Sequence, residues 1–215
     1  MYFSATTSSA GNGAYHCVGT ATSGSITGPY TPAPEPWVCP TSQGGAIDAS
    51  GFVDADGTRY VVYKIDGNSL GNGGTCNNDV APVVSTPIMI QQVASDGVTT
   101  SGSASQLITN DGNEGPDVEA PSMMRSGGTY VLFYSSGCYG TSGYTVSYAT
   151  GGSPTGGFAK SAGALFATGT DGLMGPGGAD VDVDASHVLF HALQSDGRRF
   201  LYTATVALNG DVVSA

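Results

Sequence analysis

The chain has 215 residues, with 34 glycines, 11 prolines and only 11% charged residues. This composition favours turns over helices, and Tyr, Val, Thr and Phe fill the periodic segments, so an all-β fold is predicted. The formal net charge is −11, with six Lys plus Arg. A chain this acidic is repelled by phosphate backbones and anionic membranes. We therefore expect no nucleic-acid or membrane partner, whereas a neutral ligand such as a glycan is compatible.

The four cysteines are Cys17, Cys39, Cys76 and Cys138. Their spacing fits no C-x-x-C zinc or redox site, and an even number predicts two disulfides in a non-reducing compartment. Three pairings are possible. We favour Cys17 with Cys39 and Cys76 with Cys138, because the first pair flanks one predicted loop; free buried thiols are the alternative. Together with the low lysine content, this predicts a secreted, extracellular protein.

A short β-rich motif recurs along the chain. Residues 60–63, 130–134 and 187–191 share it, and residues 1–5 resemble its end. Aligning Met1, Val62, Leu132 and Leu189 gives steps of 61, 70 and 57 residues. Periods of this size predict four-stranded propeller blades. The alternative is the ordinary hairpin pattern of a Gly-rich β-sandwich.

The repeats predict a partial β-propeller of about three and a half blades. Its blade tail would be residues 1–32, followed by blades near 44–108, 117–168 and 174–215. A propeller closes by joining its first and last blades, so this chain would leave two sheet faces unpaired. Residues 1–4 read as the middle of a strand, with no signal peptide, and no stretch has the length of a membrane-spanning helix. We therefore expect an N-terminal portion to be missing.

Two carboxylates, Asp48 and Glu119, stand out because each lies in a low-charge approach to a predicted blade. Glycoside cleavage needs an acid and a second carboxylate on the other side of the sugar. The first approach contains Ile47-Asp48, Phe52, Asp54, Asp56-Gly57 and Tyr60; the second contains Glu119-Ala120-Pro121, Gly127-Gly128, Tyr130, Leu132 and Tyr134-Ser135. In spacing and order, both resemble the blade entries of glycoside hydrolase family 43. The resemblance covers essentially the whole chain.

That resemblance implies a five-bladed β-propeller, incomplete in this chain, which hydrolyses glycosides with inversion. Glu119 would be the general acid, and Asp48 the third carboxylate, which orients the acid and holds its pKa up. Glu114, in Glu114-Gly115-Pro116, lies five residues too far from Tyr130 for the family pattern. We interpret it as a solvated loop carboxylate.

The family's general base is an Asp at the start of the first blade, which this chain does not contain. We therefore expect this fragment alone to be inactive. The N-terminal fragment of the same protein, removed by proteolysis, is a candidate partner.

The resemblance extends to substrate. Residues 118–122 and the loops of Cys76 and Cys138 are similar to those of exo-acting α-L-arabinofuranosidases, which implies arabinan, or another plant cell-wall polysaccharide or oligosaccharide, as substrate. β-Xylosidases and β-1,3-galactanases occur on the same scaffold. A carbohydrate-binding propeller without catalysis is the alternative from another class, and an incomplete β-sandwich with no catalytic role is a further one.

Four residues are candidates for substrate binding: Phe52, Trp37, His191 and Arg198. Phe52 belongs to the first blade-entry motif, and Trp37 either stacks on a sugar ring or packs under a disulfide-tied loop. His191 follows the family's Tyr-His strand ending and is either an active-site or a packed core histidine. Arg198 resembles an arginine that some members aim at the substrate; a surface arginine is the alternative.

We expect no cofactor or metal. Many relatives open the last blade with Gly-Pro-Gly-His, whose His helps to hold a central ion or water cluster. Gly178 stands in its place here, which argues against a family-type calcium site.

Overall fold

A computed structural model describes residues 1–6 and 13–215; residues 7–12 of the predicted blade tail lie outside the described part. The strands are β1 (Tyr2–Thr6), β2 (His16–Thr22), β3 (Thr31–Pro32), β4 (Ala46–Val53), β5 (Arg59–Ile65), β6 (Ile88–Val93), β7 (Thr100–Ile108), β8 (Val118–Ser126), β9 (Thr129–Ser136), β10 (Thr145–Gly151), β11 (Ala159–Lys160), β12 (Gly177–Val181), β13 (His187–Leu193), β14 (Arg199–Thr205), β15 (Ala207–Asn209) and β16 (Val212–Ser214). In this part of the chain, no helix is long and apolar enough to span a membrane.

The strands form antiparallel sheets in chain order, which confirms the all-β prediction. Strands β4 to β7 and β8 to β11 form two four-stranded sheets, and β1 to β3 and β12 to β14 form two three-stranded ones. Strands β15 and β16 pair as a separate hairpin. Neighbouring strands within a sheet are consecutive in sequence, as tight hairpins require.

Each sheet packs against the next in the same way. The first strand of one sheet contacts a strand of the preceding sheet: β4 contacts β1, β8 contacts β5, and β12 contacts β9. The aligned motif residues Val62, Leu132 and Leu189 lie on corresponding strands, β5, β9 and β13, and Met1 directly precedes β1. Consecutive antiparallel sheets repeated in this way form part of a β-propeller.

The core is divided among the spaces between neighbouring sheets. One cluster, around Val18 and Ala46, joins the first two sheets. A second, which includes Val62 and Leu132, joins the two four-stranded sheets. A third, which includes Phe133 and Phe190, lies between the four-stranded sheet β8 to β11 and the three-stranded sheet β12 to β14. Each sheet therefore buries its apolar face only by packing against its neighbours.

A β-bulge recurs at the start of three sheets. The strand register shifts between Ile47 and Ser50 in β4, between Glu119 and Ser122 in β8, and between Gly177 and Asp180 in β12. The first extra residue of each bulge has a positive φ, and these residues are Asp48 (59°), Ala120 (49°) and Gly178 (63°). A bulge bends its strand and re-aims the neighbouring side chains. In β4 and β8, the bulges aim Asp48 and Glu119.

Two disulfides, Cys17–Cys39 and Cys76–Cys138, confirm the favoured pairing. The second joins the loop between β5 and β6 to the loop between β9 and β10. These loops follow β5 and β9, whose last residues contribute side chains to the site described below. The disulfide therefore ties together two loops at the same end of the sheets.

Candidate active site

Each of the three bulges is held by a side chain from the preceding sheet. The backbone N–H of the bulge residue Asp48 donates to Ser4 Oγ at 3.2 Å, and the backbone N–H of the bulge residue Gly178 donates to Ser135 Oγ at 2.7 Å. The N–H of Ala120 donates instead to Asp48 Oδ2 at 2.9 Å. A buried N–H needs such an acceptor. The carboxylate of Asp48 is thereby fixed against the residue that follows Glu119.

Lys64 lies at the centre of a buried carboxylate cluster. Its side chain has an exposure of 0%, and Nζ lies 3.1 Å from Glu119 Oε2, 3.1 Å from Asp117 Oδ1 and 3.4 Å from Asp66 Oδ1. Burying an ammonium group is costly unless it is paired. Here three carboxylates pair with it, and one of them is the predicted acid.

The other oxygen of Glu119 is also bonded. Tyr144, which is buried, donates its hydroxyl to Oε1 at 2.6 Å. Burial and the charge of Glu119 raise the pKa of Tyr144 well above its usual value, so this hydroxyl remains a donor. Glu119 is therefore held between Lys64 and Tyr144 in one orientation.

Two neighbouring carboxyl groups hold their protons to unusually high pH. Burial, followed by the charge of Glu119, raises the pKa of Asp48 to about 6. Burial likewise raises the pKa of Asp117 to about 6, although Lys64 opposes it. For Lys64, burial alone would lower the pKa, but the carboxylates of Glu119, Asp117 and Asp66 outweigh it and raise the pKa above its usual value. The cluster thus contains proton-holding groups beside a paired Glu119.

Asp48→Asn is expected to stabilise the fold at neutral pH. Because the native pKa of Asp48 lies near 6, its favourable contribution is complete below the unfolded value and is lost as pH rises through 6. Asparagine keeps an acceptor for Ala120 but carries no charge. We expect a gain of about 1 kcal/mol in the free energy of unfolding at pH 7.5 and almost none at pH 4, measured by urea denaturation.

Asp56→Asn is the control for this prediction, because backbone and side-chain hydrogen bonds from Thr58 lower the pKa of Asp56. It should bring no gain at pH 7.5. Equal stability of Asp48→Asn and the wild type across this pH range would contradict the prediction.

His191 lies next to this cluster. Its ring stacks on Tyr144, with 6.1 Å between the ring centroids, and its Nδ1 accepts a hydrogen bond from Arg199 at 2.7 Å. The structure thus connects His191 to Glu119 through a single side chain, Tyr144.

The other predicted substrate-binding residues lie elsewhere. Phe52 is 7% exposed and packs in the core between Tyr60 and Tyr130. Trp37 is half-buried, packs against Tyr2 in a tilted arrangement and against Tyr63 edge to face, and donates Nε1–H to the carbonyl of Val98. For both residues, the geometry is that of packing rather than of an open sugar-stacking surface.

Arg198 and Glu114 also differ from expectation. The Arg198 side chain is 72% exposed and pairs with Asp196 in the turn before β14, whereas the arginine beside His191 is Arg199. Glu114 is not solvated: its side chain is 9% exposed and lies 2.8 Å from Lys160. It takes no part in the Lys64 cluster.

Sequence reasoning missed Lys64, Tyr144 and Arg199. One signal was present for Lys64, since it interrupts the apolar run of β5 in a chain with only six Lys plus Arg. Charged residues are almost never fully buried unless they are paired, so a lysine there indicated a buried carboxylate partner. Nothing in the local sequence singled out Tyr144.

Among residues 1–6 and 13–215, no group of three or more His, Cys, Asp or Glu side chains has an arrangement that could hold a metal ion. At Gly178, an added Cβ would lie 2.7 Å from His191 Nε2. The ring of His191 therefore fills the space into which a side chain at position 178 would project.

Part of a β-propeller with a fixed glutamate beside a proton-holding aspartate is an arrangement suited to glycoside cleavage, in which paired carboxyl groups act on the glycosidic bond. Residues 1–208 match the family model described as glycosyl hydrolases family 43. The chain belongs to this family.

A curated relative is the β-D-galactofuranosidase xynD of Aspergillus niger, 31% identical over 162 residues. The match covers 74% of this chain and 39% of that protein, so the chain spans well under half the length of this relative.

Solved structures show the same fold. A thermostable family-43 glycoside hydrolase superposes with a TM-score of 0.76 at 24% identity, covering 93% of this chain and 66% of that one. An α-L-arabinofuranosidase from Lactobacillus brevis gives a TM-score of 0.68 at 16% identity, with 91% and 64% covered. At these identities, the likeness concerns the fold alone.

Proposed function

We propose that this chain is part of an inverting exo-α-L-arabinofuranosidase, secreted and built on a five-bladed propeller, in which Glu119 is the general acid. The observation that carries the proposal is the position of Glu119 beside Asp48, whose carboxylate accepts the N–H of Ala120, the residue that follows Glu119. Lys64 and Tyr144 fix the Glu119 side chain in one orientation. In this mechanism, Glu119 protonates the leaving glycosidic oxygen, and Asp48 tunes and orients it. The substrate is arabinan or an arabino-oligosaccharide.

Family membership supports the reaction class, and the name of one relative supports a furanose substrate. The Aspergillus niger relative is named for galactofuranosides, which present a five-membered ring, as arabinofuranosides do. The two disulfides support the extracellular location, because such bonds persist in oxidising compartments.

Inversion also requires a carboxylate that activates water, and we assign no residue of this chain to that role. The test therefore uses the whole protein in which the chain occurs. Incubation with arabinotriose should release L-arabinose, and NMR spectra taken in the first minutes should show the product with inverted anomeric configuration. The Glu119→Gln variant is the inactive control.

A β-D-galactofuranosidase is the second candidate, favoured by the 31% identity to the relative of that name. Parallel assays on 4-nitrophenyl α-L-arabinofuranoside, β-D-galactofuranoside and β-D-xylopyranoside separate the candidates by kcat/KM. A preference for either of the last two sugars would replace the arabinofuranosidase proposal. Binding of arabinotriose without turnover by the whole protein would indicate a carbohydrate-binding propeller instead.

A further inference from the structure

Asp117 is a carboxylate of the Lys64 cluster that has no role in the mechanism given above. Its side chain is 3% exposed, and its Oδ1 lies 3.1 Å from Lys64 Nζ. Glu119 Oε2 lies at the same distance from that nitrogen. Asp117 and the candidate acid therefore share one buried ammonium group.

The backbone on either side of this carboxylate is fixed. The carbonyl oxygen of Pro116 accepts hydrogen bonds from the side-chain amides of Asn78 at 2.7 Å and Asn110 at 3.1 Å. The carbonyl oxygen of Asp117 itself accepts the N–H of Gly137 at 3.2 Å. Asp117 is thus held towards Lys64 by contacts from three other loops.

The cluster contains more carboxylates than the lysine needs. One carboxylate neutralises one ammonium group, yet Asp66, Asp117 and Glu119 all face Lys64 Nζ within 3.4 Å. Burying an excess of negative charge costs free energy. Stabilisation of the buried lysine therefore does not explain why Asp117 is there, and its effect on Glu119 is the alternative.

Asp117 and Glu119 act on each other at this site. They lie two residues apart at the start of β8, so their side chains point to the same side. Burial keeps the pKa of Asp117 at about 6, opposed by Lys64 and reinforced by the charge of Glu119. Such an interaction is mutual, and the two carboxyl groups release their protons as a pair. The charge of an ionised Asp117 therefore favours a proton on Glu119.

Other charged and titratable groups face Glu119 from the strands around it. They are Asp48 of β4, Lys64 at the end of β5 and Asp66 directly after it, Tyr144 directly before β10, and His191 of β13. Tyr144 donates as a neutral hydroxyl, and burial lowers the pKa of His191, so neither is charged at pH 7.5. Lys64 is then the cation that opposes a proton on Glu119, and Asp117 lies closer to this cation than Asp66 does.

We propose that Asp117 is a positioning residue for the general acid: by facing Lys64, it offsets the ammonium charge at Glu119 and keeps the transferable proton there at the pH of catalysis. Asp117 does not touch the sugar; it acts through Lys64 and Glu119. The inference rests on the proposed function, because it assigns a further residue to the same acid.

The first test follows the proton on Glu119 and does not depend on activity. The chain has three glutamates, Glu35, Glu114 and Glu119. In ¹³C NMR spectra of the whole protein labelled at glutamate Cδ, the signal that Glu119→Gln removes belongs to Glu119. In Asp117→Asn, this signal should change from carboxyl to carboxylate at a pH lower by about one unit, the effect of losing one nearby charge.

Asp111→Asn is the matched control for this titration. It also removes a carboxylate from a lysine, but its side chain is 51% exposed and pairs with Lys160. The Glu119 signal should titrate in this variant as it does in the wild type.

The second test is the pH profile of kcat/KM on arabinotriose. At pH 5 Asp117 holds its proton, and asparagine resembles the neutral carboxyl group, so Asp117→Asn should lie within about twofold of the wild type. Above pH 6 only the wild type gains the charge of Asp117. The alkaline limb of the variant should therefore lie about one unit lower, which makes it about tenfold less active on that side. A structural disturbance would lower activity by the same factor at every pH.

A substrate that needs no acid provides a further control. A 4-nitrophenolate leaves without protonation, so the profiles of Asp117→Asn and the wild type on 4-nitrophenyl α-L-arabinofuranoside should coincide. An alkaline shift of the same size on this substrate would overturn the inference, because the shift would then not act through the proton of Glu119.

The outcomes separate this inference from the proposed function. If the wild type hydrolyses no furanoside, yet Asp117→Asn lowers the pH at which the Glu119 signal titrates, the function fails and the effect of Asp117 on Glu119 stands. If the wild type is active, but Asp117→Asn matches Asp111→Asn in the titration or on arabinotriose, the inference is overturned. Should Asp117→Asn not fold, Asp117→Ser, which also removes the charge, decides by the same two measurements.

Discussion

In the whole protein in which the chain occurs, Glu119→Gln should lower kcat on arabinotriose by about a thousandfold, within the range of general acid catalysis. Glutamine keeps the shape of the side chain: its carbonyl accepts from Lys64, and its amide donates to the Tyr144 hydroxyl, the two groups that hold Glu119 now. The substitution therefore removes the transferable proton with little change in packing. KM should stay within about threefold of the wild type, because the lost interaction acts mainly in the transition state.

The leaving group identifies the role of the proton. A 4-nitrophenolate leaves without protonation, so Glu119→Gln should retain far more activity on 4-nitrophenyl α-L-arabinofuranoside than on arabinotriose. Glu114→Gln is the matched control, since Glu114 pairs with Lys160 away from the cluster, and it should stay within about twofold of the wild type. Equal losses on the two substrates would show that Glu119 does not act as the acid.

The fold was predictable because its signals are local. Turns and β-rich runs recur with each sheet, and the aligned Met1 and Leu132 segments carry Ser4 and Ser135 at equivalent positions. The structure gives these serines the same task, that of accepting the N–H of a bulge residue in the next sheet. In β5, the equivalent residue is Ile65, whose side chain cannot accept a hydrogen bond. The N–H of Ala120 donates to the carboxylate of Asp48 instead. The repeat thus indicated the scaffold, and its interruption coincides with the candidate site.

The two carboxylates could be selected from sequence because they stand in recognisable segments. Their pairing with Lys64 and Tyr144 could not be predicted, even though the apolar run of β5 marked Lys64 as a buried charge, since the two residues reach Glu119 across sequence separations of 55 and 25 residues. Such contacts depend on how sheets pack, and no pattern within one strand encodes them.

The position of the arginine depends on a different feature of the sequence. The side chains of successive residues in a strand point to opposite faces of the sheet. An assignment that is wrong by one residue therefore selects a side chain that faces solvent instead of the site. Arg198 lies in the turn, whereas Arg199 begins β14 opposite Leu193. The sequence Asp196-Gly197-Arg198-Arg199 predicts a turn but does not determine which arginine is the first residue of the strand.

Lys64→Met should cost about 3–5 kcal/mol of folding free energy, the usual result of breaking a buried charge pair on one side. Methionine fills a similar volume with a flexible apolar chain, so the loss reflects charge rather than a cavity. Asp66, Asp117 and Glu119 would remain buried, with side-chain exposures of 7%, 3% and 13%, and would have no cation between them. Glu119 would also lose one of its two anchors, so activity should fall even where the variant folds.

The pH dependence of this loss identifies its cause. Without Lys64, the native carboxylates bind protons more tightly than the unfolded ones, so the deficit relative to the wild type should shrink as pH falls from 7.5 to 5. Adding Asp117→Asn should recover part of it at pH 7.5, as a double-mutant cycle would show. Lys160→Met is the control: its side chain is 22% exposed and pairs with Asp111 and Glu114, and we expect about 1 kcal/mol. Urea denaturation measures all five proteins, the four of the cycle and Lys160→Met. A Lys64→Met loss no larger than that of Lys160→Met would mean that the cluster does not depend on its buried cation.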